Sequence, residues 1–246
     1  MNPPTGIAPP AALMTLPVAG AGDGVPTYLK AHYWWAYVHP RAVRVFERQW
    51  LVNLILWGNY HRLRDAALSE LGRALPGRTL QVACVYGDLT SRLSQRVAAG
   101  GGALDIVDIL PIQLENLRQK LPSGAPVRLL ARDSAELGLP DSSYDRAMVF
   151  FLLHEQPAEV RRRTLAEVFR VVKPGGTILV VDYARPSRWH PLRYLWLPVL
   201  ARLEPFAPDL WRSDLAAWLP DLPAGSRIRR NKSFFGGLYQ QVVVTR

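Results

Sequence analysis

Three polar residues at the ends of apolar segments have side chains suited to acid–base or metal chemistry. His154 and Glu155 follow one apolar run, and Asp182 lies near the end of another. An imidazole can take up a proton during a reaction, and an imidazole with two carboxylates can bind a divalent metal ion. The alternative interpretation is structural. His154 and Glu155 would cap the helix after Pro157, and Asp182 would bond nearby backbone groups.

A second candidate site is the segment QVACVYGDLT, residues 81–90, at the end of an apolar stretch. A nucleotide-binding fold places a glycine-rich loop at the end of its first strand. This segment contains one glycine, Gly87. The pattern is compatible with a loop rebuilt for different chemistry and with a loop that has lost its ligand.

The elements that would position these residues alternate along the chain. Short apolar runs predict buried strands, and the stretches between them predict helices. The predicted strands are 79–85, 103–109, 126–132, 144–153 and 176–183, and the predicted helices are 88–99, 111–121 and 157–172. This alternation predicts an α/β fold with a doubly wound, mainly parallel sheet. Two more strands around Gly236 and Gly237 would form a hairpin at one edge and bring the sheet to seven strands.

Ligands of open parallel sheets bind at the carboxyl ends of the strands. Four parts of the sequence fall there. They are the loop 83–90, Asp108, Asp133 with Ser134, and the segment 152–157. We expect these parts to surround one cleft.

Two regions flank the predicted sheet. Residues 1–26 predict a disordered lead-in without the basic start of a secretory signal, and 27–75 predict a helical extension with a helix start at Pro40. The remaining residues, 76–246, would form the α/β domain with an insertion at about 186–218. The extension and insertion interleave aromatic, Leu, Pro and Arg residues. They could form a lid over an apolar channel or cover the sheet as core helices.

Composition narrows the function classes. A chain of 246 residues that is 49% hydrophobic can bury one core, and its apolar runs are too short to span a membrane. A net charge of +10 favours an anionic membrane surface over nucleic acid, for which no motif is present. A single cysteine, Cys84, excludes an intrachain disulfide and suits the cytoplasm. The run 161–163, three arginines, predicts a solvated helix face. No protein partner can be inferred.

The segments at the predicted cleft resemble the class I S-adenosylmethionine-dependent methyltransferases, which have a Rossmann-like fold. In LQVACVYGDLT, Gln81 stands in place of the family's acid, and Ala83 and Val85 stand in place of its first two glycines. Asp108 matches the acid that bonds the ribose, Asp133 matches the acid near adenine, and RVVKPGGTILVVDY matches the turn into the fifth strand. The cofactor-binding residues implied by the resemblance are Gln81, Ala83, Val85, Tyr86, Gly87, Asp88, Asp108, Asp133 and Ser134.

From residue 27 onward the chain is also similar to the RquA family of rhodoquinone biosynthesis proteins. The similarity lies in YWWAYVHP, CVYGDLT, VDILPIQLENLR, FFLLHEQP, WHPLRYL, LEPFAPDLW and FGGLYQ. It implies an enzyme that converts ubiquinone to rhodoquinone by replacing a ring methoxy group with an amino group. S-adenosylmethionine is then the amino donor, a divalent metal ion, manganese, is the helper, and the enzyme is bacterial and peripheral to the inner membrane.

This resemblance gives the candidate residues their roles. Gln81 would remove the charge that keeps the donor's amino group protonated, and with Tyr86 it would place the donor. His154 would be the base, and a metal ion on the quinone oxygen would stabilise the enolate. The implied catalytic residues are His154, Tyr86 and Tyr183, and the implied metal ligands are His154, Glu155 and Asp182. His190 is a further candidate for bonding the quinone oxygens, although packing or surface roles are open for His190 and Tyr183.

Two other functions stay open. A methyltransferase acting on a quinone or another lipid phenol would use the same pocket and accumulate S-adenosylhomocysteine. A degenerate methyltransferase fold serving as a lipid-binding or assembly subunit would not bind the cofactor at all.

Overall fold

The computed structural model describes residues 25–33, 40–219 and 226–246. The predicted lead-in therefore lies almost wholly outside the described residues, as do positions 34–39 of the YWWAYVHP segment. The described helices are α1 (Thr27–His32), α2 (Pro40–Phe46), α3 (Gln49–Ile55), α4 (Tyr60–Leu71), α5 (Leu89–Ala99), α6 (Pro111–Lys120), α7 (Ala158–Val171), α8 (Leu192–Leu203) and α9 (Ala207–Arg212). The strands are β1 (Arg78–Val82), β2 (Ala103–Asp108), β3 (Val127–Ala131), β4 (Tyr144–Phe150), β5 (Val172–Tyr183), β6 (Arg227–Phe234) and β7 (Tyr239–Thr245).

The seven strands form one sheet in the order β3-β2-β1-β4-β5-β7-β6. Strands β1 to β5 pair in parallel, and β7 runs antiparallel to both β5 and β6. The predicted α/β fold with a mainly parallel seven-stranded sheet is confirmed, including the hairpin at one edge. From β1 the chain continues to one side through β2 and β3, and then to the other side through β4 and β5. Open α/β sheets place their ligand clefts at such a switch point.

The core lies on both faces of this sheet, as the pleat of β5 shows. Ile178 and Val180 belong to the apolar layer beneath α7, whereas Leu179 and Val181 belong to the opposite layer, beneath α4 and α5. All four are fully buried. Successive side chains of a strand point to opposite faces, so a continuous apolar run is what a sheet covered on both sides requires.

Two strands end earlier than the sequence predicts. β1 ends at Val82 and β4 at Phe150, three residues before each predicted end. The residues that follow, Ala83 (φ 72°) and Phe151 (φ 52°), have left-handed backbone, which costs a residue with a Cβ about 1 kcal/mol or more. These turns take the chain out of the sheet and open the space above β1 and β4.

The extension and insertion contribute differently to the core. Tyr60 and Leu63 of α4 and Leu210 of α9 are fully buried, so these helices cover the sheet. Trp50 of α3 and Tyr194 of α8 are 61% and 68% exposed. In the described ranges, no helix has both the length and the apolar content needed to cross a bilayer.

One arginine of the run 161–163 is a core residue. Arg161 is fully buried, whereas the two arginines that follow it are exposed, so the expectation of a solvated face is wrong for Arg161. Its guanidinium donates to the carbonyls of Leu153, Gln156 and Phe206 at 2.8–2.9 Å and lies 4.4 Å from the ring of Trp218. Arg161 thereby fixes the turn that follows β4.

The outer strand β6 is polar. Its first seven residues are exposed, and four of them are cations, at 227, 229, 230 and 232. Arg229 and Arg230 pair with Glu70 of α4 at 3.1 and 3.2 Å. The register against β7 shifts between Ile228 and Arg230.

Candidate functional site

A cavity of about 320 Å³ opens at the carboxyl ends of β1, β2 and β4. One wall comes from 83–86, 107–110 and 132–134, and another from residues between 150 and 156. Side chains of α1, α3 and α8 cover it. The four segments that the sequence places at strand ends therefore meet at one cavity.

The loop after β1 is held by the end of β2. Ala83 donates its N–H to the carbonyl of Val107 at 2.8 Å, and Cys84 donates its N–H to Oδ2 of Asp108 at 2.7 Å. Leu110 donates its N–H to the other oxygen of Asp108 at 2.8 Å. Burial raises the pKa of Asp108, although these backbone donors oppose the shift. Asp108 thus fixes the loop and also lines the cavity.

Gln81 lies beneath this loop. Its side chain is fully buried, and Nε2 donates to the carbonyl of Ala83 at 3.0 Å and to Oγ1 of Thr90 at 2.9 Å. Among the described residues it is not part of the cavity wall. Gln81 therefore supports the left-handed turn at Ala83, where a direct contact with the donor was expected.

The N-terminal extension clamps the same loop through Glu47, between α2 and α3. Glu47 Oε1 accepts the N–H of Gly87 at 3.0 Å and the ammonium of Lys120 at 2.6 Å, and Oε2 accepts the side-chain amide of Asn116 at 2.6 Å. Lys120 also donates to the carbonyl of Gly87 at 3.2 Å. The pairing of Glu47 with Lys120 leaves no local signal in the sequence, since 73 positions separate them.

Asp88 is also held by the extension. It accepts bonds from Arg64 at 2.7 and 2.9 Å and from Arg92 at 2.6 Å. Partial burial opposes its ionisation, but these arginines hold the pKa of Asp88 below its ordinary value. Asp88 is not among the described cavity residues. Its predicted role in binding the cofactor is therefore replaced by an ion-pair role at the start of α5.

Asp133 and Ser134 lie on the cavity wall after β3. Asp133 Oδ1 accepts the N–H of Ala135 at 2.8 Å, which forms the turn that holds the carboxylate at the strand end. Ser134 accepts a bond from Gln156 at 2.9 Å and lies 3.0 Å from the hydroxyl of Thr164. Both residues are placed as the sequence predicts.

Val85 and Tyr86 form the apolar part of the loop and line the cavity. The Tyr86 ring stacks on Phe46 with centroids 6.1 Å apart, and its hydroxyl accepts a bond from Gln113 at 2.8 Å. Burial raises the pKa of Tyr86 far above neutrality. Tyr86 is therefore a neutral side chain that narrows the cavity and can donate a hydrogen bond.

His154 forms a buried pair with Asp182. Its Nδ1–H donates to Asp182 Oδ1 at 2.9 Å, and its Nε2 is 3.8 Å from a carboxylate oxygen of Glu155. Burial disfavours the imidazolium, but the charge and hydrogen bond of Asp182 outweigh burial and raise the pKa of His154 to about 9. Asp182 therefore favours the protonated imidazole, which is the form that donates a proton, whereas the sequence predicts a base at this position.

The residues expected to bind a metal ion do not fit one in this arrangement. Both oxygens of Asp182 are already bonded, Oδ2 to the N–H of Leu153 at 2.8 Å and Oδ1 to the N–H of Tyr183 at 2.7 Å as well as to His154. Across the described positions, no group of three or more His, Cys, Asp or Glu side chains is arranged for a metal ion. His154 and Asp182 form a hydrogen-bonded pair with Glu155 beside it, and the expected role of these three residues as metal ligands is not supported by this arrangement.

An aromatic group surrounds the imidazole of His154. The Tyr183 ring is 4.9 Å from His154, and the Phe151 ring is 5.9 Å from it. Burial raises the pKa of Tyr183 well above its ordinary value. His190 packs on Phe235 at 4.8 Å and, within the described part of the chain, is not a cavity residue. Tyr183 can therefore contact a ligand, whereas His190 has a packing role.

The insertion adds one carboxyl group that the sequence analysis did not single out. Glu204, at the end of α8, lines the cavity together with His154 and Glu155. Burial raises the pKa of Glu204, although the positive charge of His154 opposes the shift. Local sequence patterns cannot connect positions 154 and 204, because the fold brings them together through the insertion.

Comparison with known proteins agrees with this architecture. A family described as a methyltransferase domain matches residues 79–176. The Ubiquinone/menaquinone biosynthesis C-methyltransferase UbiE of Stutzerimonas stutzeri is 32% identical over 141 residues, 56% of this chain and 54% of that protein. The chain has the Rossmann-like fold of the class I methyltransferases.

Other relatives support the same fold. An uncharacterized methyltransferase of Synechocystis is 26% identical over 85% of this chain and 92% of its own length. A SAM dependent methyltransferase from Aquifex aeolicus, 19% identical, aligns with a TM-score of 0.52 over 85% of this chain and 99% of that chain. The chain spans about half the length of the UbiE proteins it matches.

The carboxylates that line the cavity fit S-adenosylmethionine. Asp108 and Asp133 line the cavity at neighbouring strand ends, where the ribose and the adenine would lie. Each carboxylate can accept bonds beyond those it makes with the backbone. Ala83 keeps the left-handed turn of a glycine loop without a glycine. The loop therefore forms a left-handed turn at a residue with a Cβ, which agrees with a rebuilt loop but does not by itself distinguish it from one that has lost its ligand.

Replacing Gly87 with alanine is expected to destabilise this loop. Gly87 has φ 84°, and an added Cβ would lie 2.5 Å from the hydroxyl of Tyr60. We expect a loss of about 2–3 kcal/mol in the free energy of unfolding and weaker cofactor binding, measured by urea unfolding and calorimetric titration.

Gly124→Ala is the matched control for Gly87→Ala. Gly124 has φ 77°, but nothing lies within 4 Å of its added Cβ. This variant should lose only about 1 kcal/mol, the cost of the left-handed backbone. Equal losses in the two variants would contradict the role of the Tyr60 contact.

Proposed function

We propose that this chain converts ubiquinone to rhodoquinone, exchanging a ring methoxy group for an amino group of S-adenosylmethionine. The observation that carries the proposal is the acid and base on one cavity wall, His154 and Glu204. Substitution at a quinone ring needs a proton donor at the carbonyl oxygen and a proton acceptor for the amine. Transfer of a methyl group to a phenol needs only the acceptor.

The residues divide the work as follows. The Nε2–H of protonated His154 donates to the quinone carbonyl and stabilises the enolate that forms when nitrogen bonds to the ring. Glu204 takes the proton that the ammonium must lose before it can attack. Tyr183 and Phe151 lie beside the quinone ring. Asp108 and Asp133 hold the ribose and the adenine.

Atoms and charges balance in the substitution. The bond from nitrogen to the ring carbon forms, and the enolate then re-forms the carbonyl as the ring–methoxy bond breaks. Methoxide takes the second proton of the nitrogen and leaves as methanol. When bound, S-adenosylmethionine would supply the nitrogen. Release of the aminoquinone balances as an elimination: the nitrogen would keep the electron pair of its bond to the α-carbon and gain a proton, and the neighbouring carbon of the methionine part would lose a proton and form a double bond. The proposal places the reaction in a bacterial cytoplasm beside the inner membrane, where prenylated quinones dissolve.

The deciding experiment uses S-adenosylmethionine labelled with nitrogen-15 at the α-amino group, with a short-tailed ubiquinone and the purified chain. Mass spectrometry of the quinone should show a product that has lost methoxy and gained labelled nitrogen. An unlabelled product heavier by one methyl, with release of S-adenosylhomocysteine, would contradict the proposal. Reactions with and without manganese show whether a metal ion contributes.

A second candidate function is methyl transfer to a quinone or another lipid phenol. It is favoured by the 32% identity to UbiE, whose name describes a C-methyltransferase of ubiquinone and menaquinone biosynthesis. The same labelling experiment separates it from amination.

Replacing Glu204 with glutamine is expected to lower the amination rate at least about tenfold, because the base is lost. Cofactor affinity should stay close to wild type, since Glu204 follows the insertion helix α8, whereas Asp108 ends β2 and Asp133 follows β3. Rate constants at saturating cofactor test the expected loss of rate, and calorimetric titration tests the unchanged affinity. Glu115→Gln is the matched control, because Glu115 forms an exposed ion pair with Arg118 on α6. An unchanged rate in Glu204→Gln would assign the proton transfer to another group.

A further inference from the structure

Exposed apolar side chains concentrate in two segments, 45–57 and 189–203. In the described part of the chain ten large apolar side chains are strongly exposed, and nine of them lie in these segments. We call these nine the apolar rim: Val45, Trp50, Leu54, Ile55, Trp57, Trp189, Tyr194, Val199 and Leu203. The tenth, Ile228, is on β6. Exposed apolar surface gathered in one region, and not scattered, marks an interaction site.

The two segments of the apolar rim meet at the mouth of the cavity. The Trp57 ring lies 5.1 Å from the ring of Trp196 on α8, edge to face. Ile55 and Leu203 are 38% and 45% exposed, yet both also line the cavity. Apolar side chains of the rim therefore reach from the outside of the molecule to the cavity.

The charges around the apolar rim are positive. Arg44 and Arg48 are exposed beside the first segment, and Arg185, Arg188 and Arg202 are exposed in or beside the second. The guanidinium of Arg188 stacks on Trp189 at 4.9 Å.

Carboxylates are nearly absent from these segments. Residues 185–203 contain no acidic residue, and the one acidic residue within 40–57, Glu47, is paired with Lys120. The apolar rim is therefore complementary to a partner with an apolar interior and negative charges at its surface.

We propose that the apolar rim docks on an anionic lipid bilayer, with its Trp and Tyr side chains among the headgroups and its arginines on lipid phosphates. Trp and Tyr favour this depth because their rings are apolar and their N–H and O–H groups remain hydrated. Arginine pairs with phosphate through two parallel hydrogen bonds. In this orientation the cavity mouth faces the membrane. The next step rests on the proposed function: the prenyl tail of the quinone then enters the cavity without crossing water.

The test is cosedimentation of the full chain with vesicles. Phosphatidylglycerol and phosphatidylcholine in equal parts are compared with phosphatidylcholine alone. We expect binding to the anionic vesicles, and at least about tenfold weaker binding of the double variant Trp50→Ala/Trp189→Ala, because two interfacial anchors are lost. Neither residue lines the cavity. Ile228→Ala is the matched control and should bind as wild type does.

Three outcomes of the sedimentation would overturn the proposal. They are failure to sediment with anionic vesicles, equal binding of wild type and the double variant, and an equal loss in Ile228→Ala. A solution dimer that dissociates in Trp50→Ala/Trp189→Ala would also overturn it, because a second copy would then cover the apolar rim. Binding is measured without turnover, so vesicle binding with no aminated product would reject the proposed function alone.

Discussion

Replacing His154 with glutamine is expected to lower the amination rate about 1000-fold while leaving cofactor affinity nearly unchanged. The glutamine amide can still donate a hydrogen bond, but it is neutral and cannot stabilise the enolate charge. The reason lies in the buried pair with Asp182, which raises the pKa of His154 to about 9 despite burial. Single-turnover rates at saturating cofactor, with calorimetric affinities, test the expectation.

The pH profile separates the two possible roles of His154. Its charge is set by the groups that face it, Asp182 on β5, Glu155 beside it and Glu204 just after α8. A group with a raised pKa stays protonated up to that pKa, so a proton donor should lose activity as pH rises through about 9. This decline should be absent from the residual activity of His154→Gln. A wild-type rate that rises through this range would instead identify His154 as the base.

Replacing Asp182 with alanine is expected to cost about 3–5 kcal/mol in the free energy of unfolding, which is the largest stability effect we predict. Asp182 is fully buried, and its removal leaves the N–H groups of Leu153 and Tyr183 and the imidazole without their acceptor. Glu115→Ala is the matched control, because the Glu115–Arg118 ion pair on α6 is exposed. The control should change the free energy by less than about 1 kcal/mol.

The same pair makes stability depend on pH. The pKa of folded His154, about 9, is above the ordinary value of 6.5. The folded state therefore binds more protons between these values, and its stability falls as pH rises. The contribution, up to about 3 kcal/mol, is complete below pH 6.5 and lost as pH rises through about 9. Urea unfolding at several pH values should show this decline in wild type and not in His154→Gln. A parallel decline in both would assign it to other groups.

The sheet could be predicted because its strands are covered on both faces. A run such as 178–181 is apolar at every position, which periodicity detects directly. Arg161 could also have been placed correctly. It precedes Leu165 by four positions and Val168 by seven, so it shares their buried face of α7. Counting the three arginines as one charge run hid this helical spacing.

The site was less predictable, because its geometry depends on contacts between distant segments. Gln81 is followed by one more strand residue before the turn, and its side chain enters the layer beneath α5, where it meets Thr90. Asp88 follows the loop but is held by Arg64 of the extension. Glu47 and Glu204 come from regions whose local sequence shows only helices. The strand ends indicated where the cavity is, and tertiary packing decided which side chains face it.

The exposed strand β6 protects the sheet from association with other sheets. An outer strand offers unpaired N–H and C=O groups to any extended chain that approaches it. Here that chain would meet Arg227, Arg229, Arg230 and Lys232 along one strand, together with a shift in register that interrupts regular pairing. Growth of the sheet into a fibril would have to bring these four cations against a second copy of themselves.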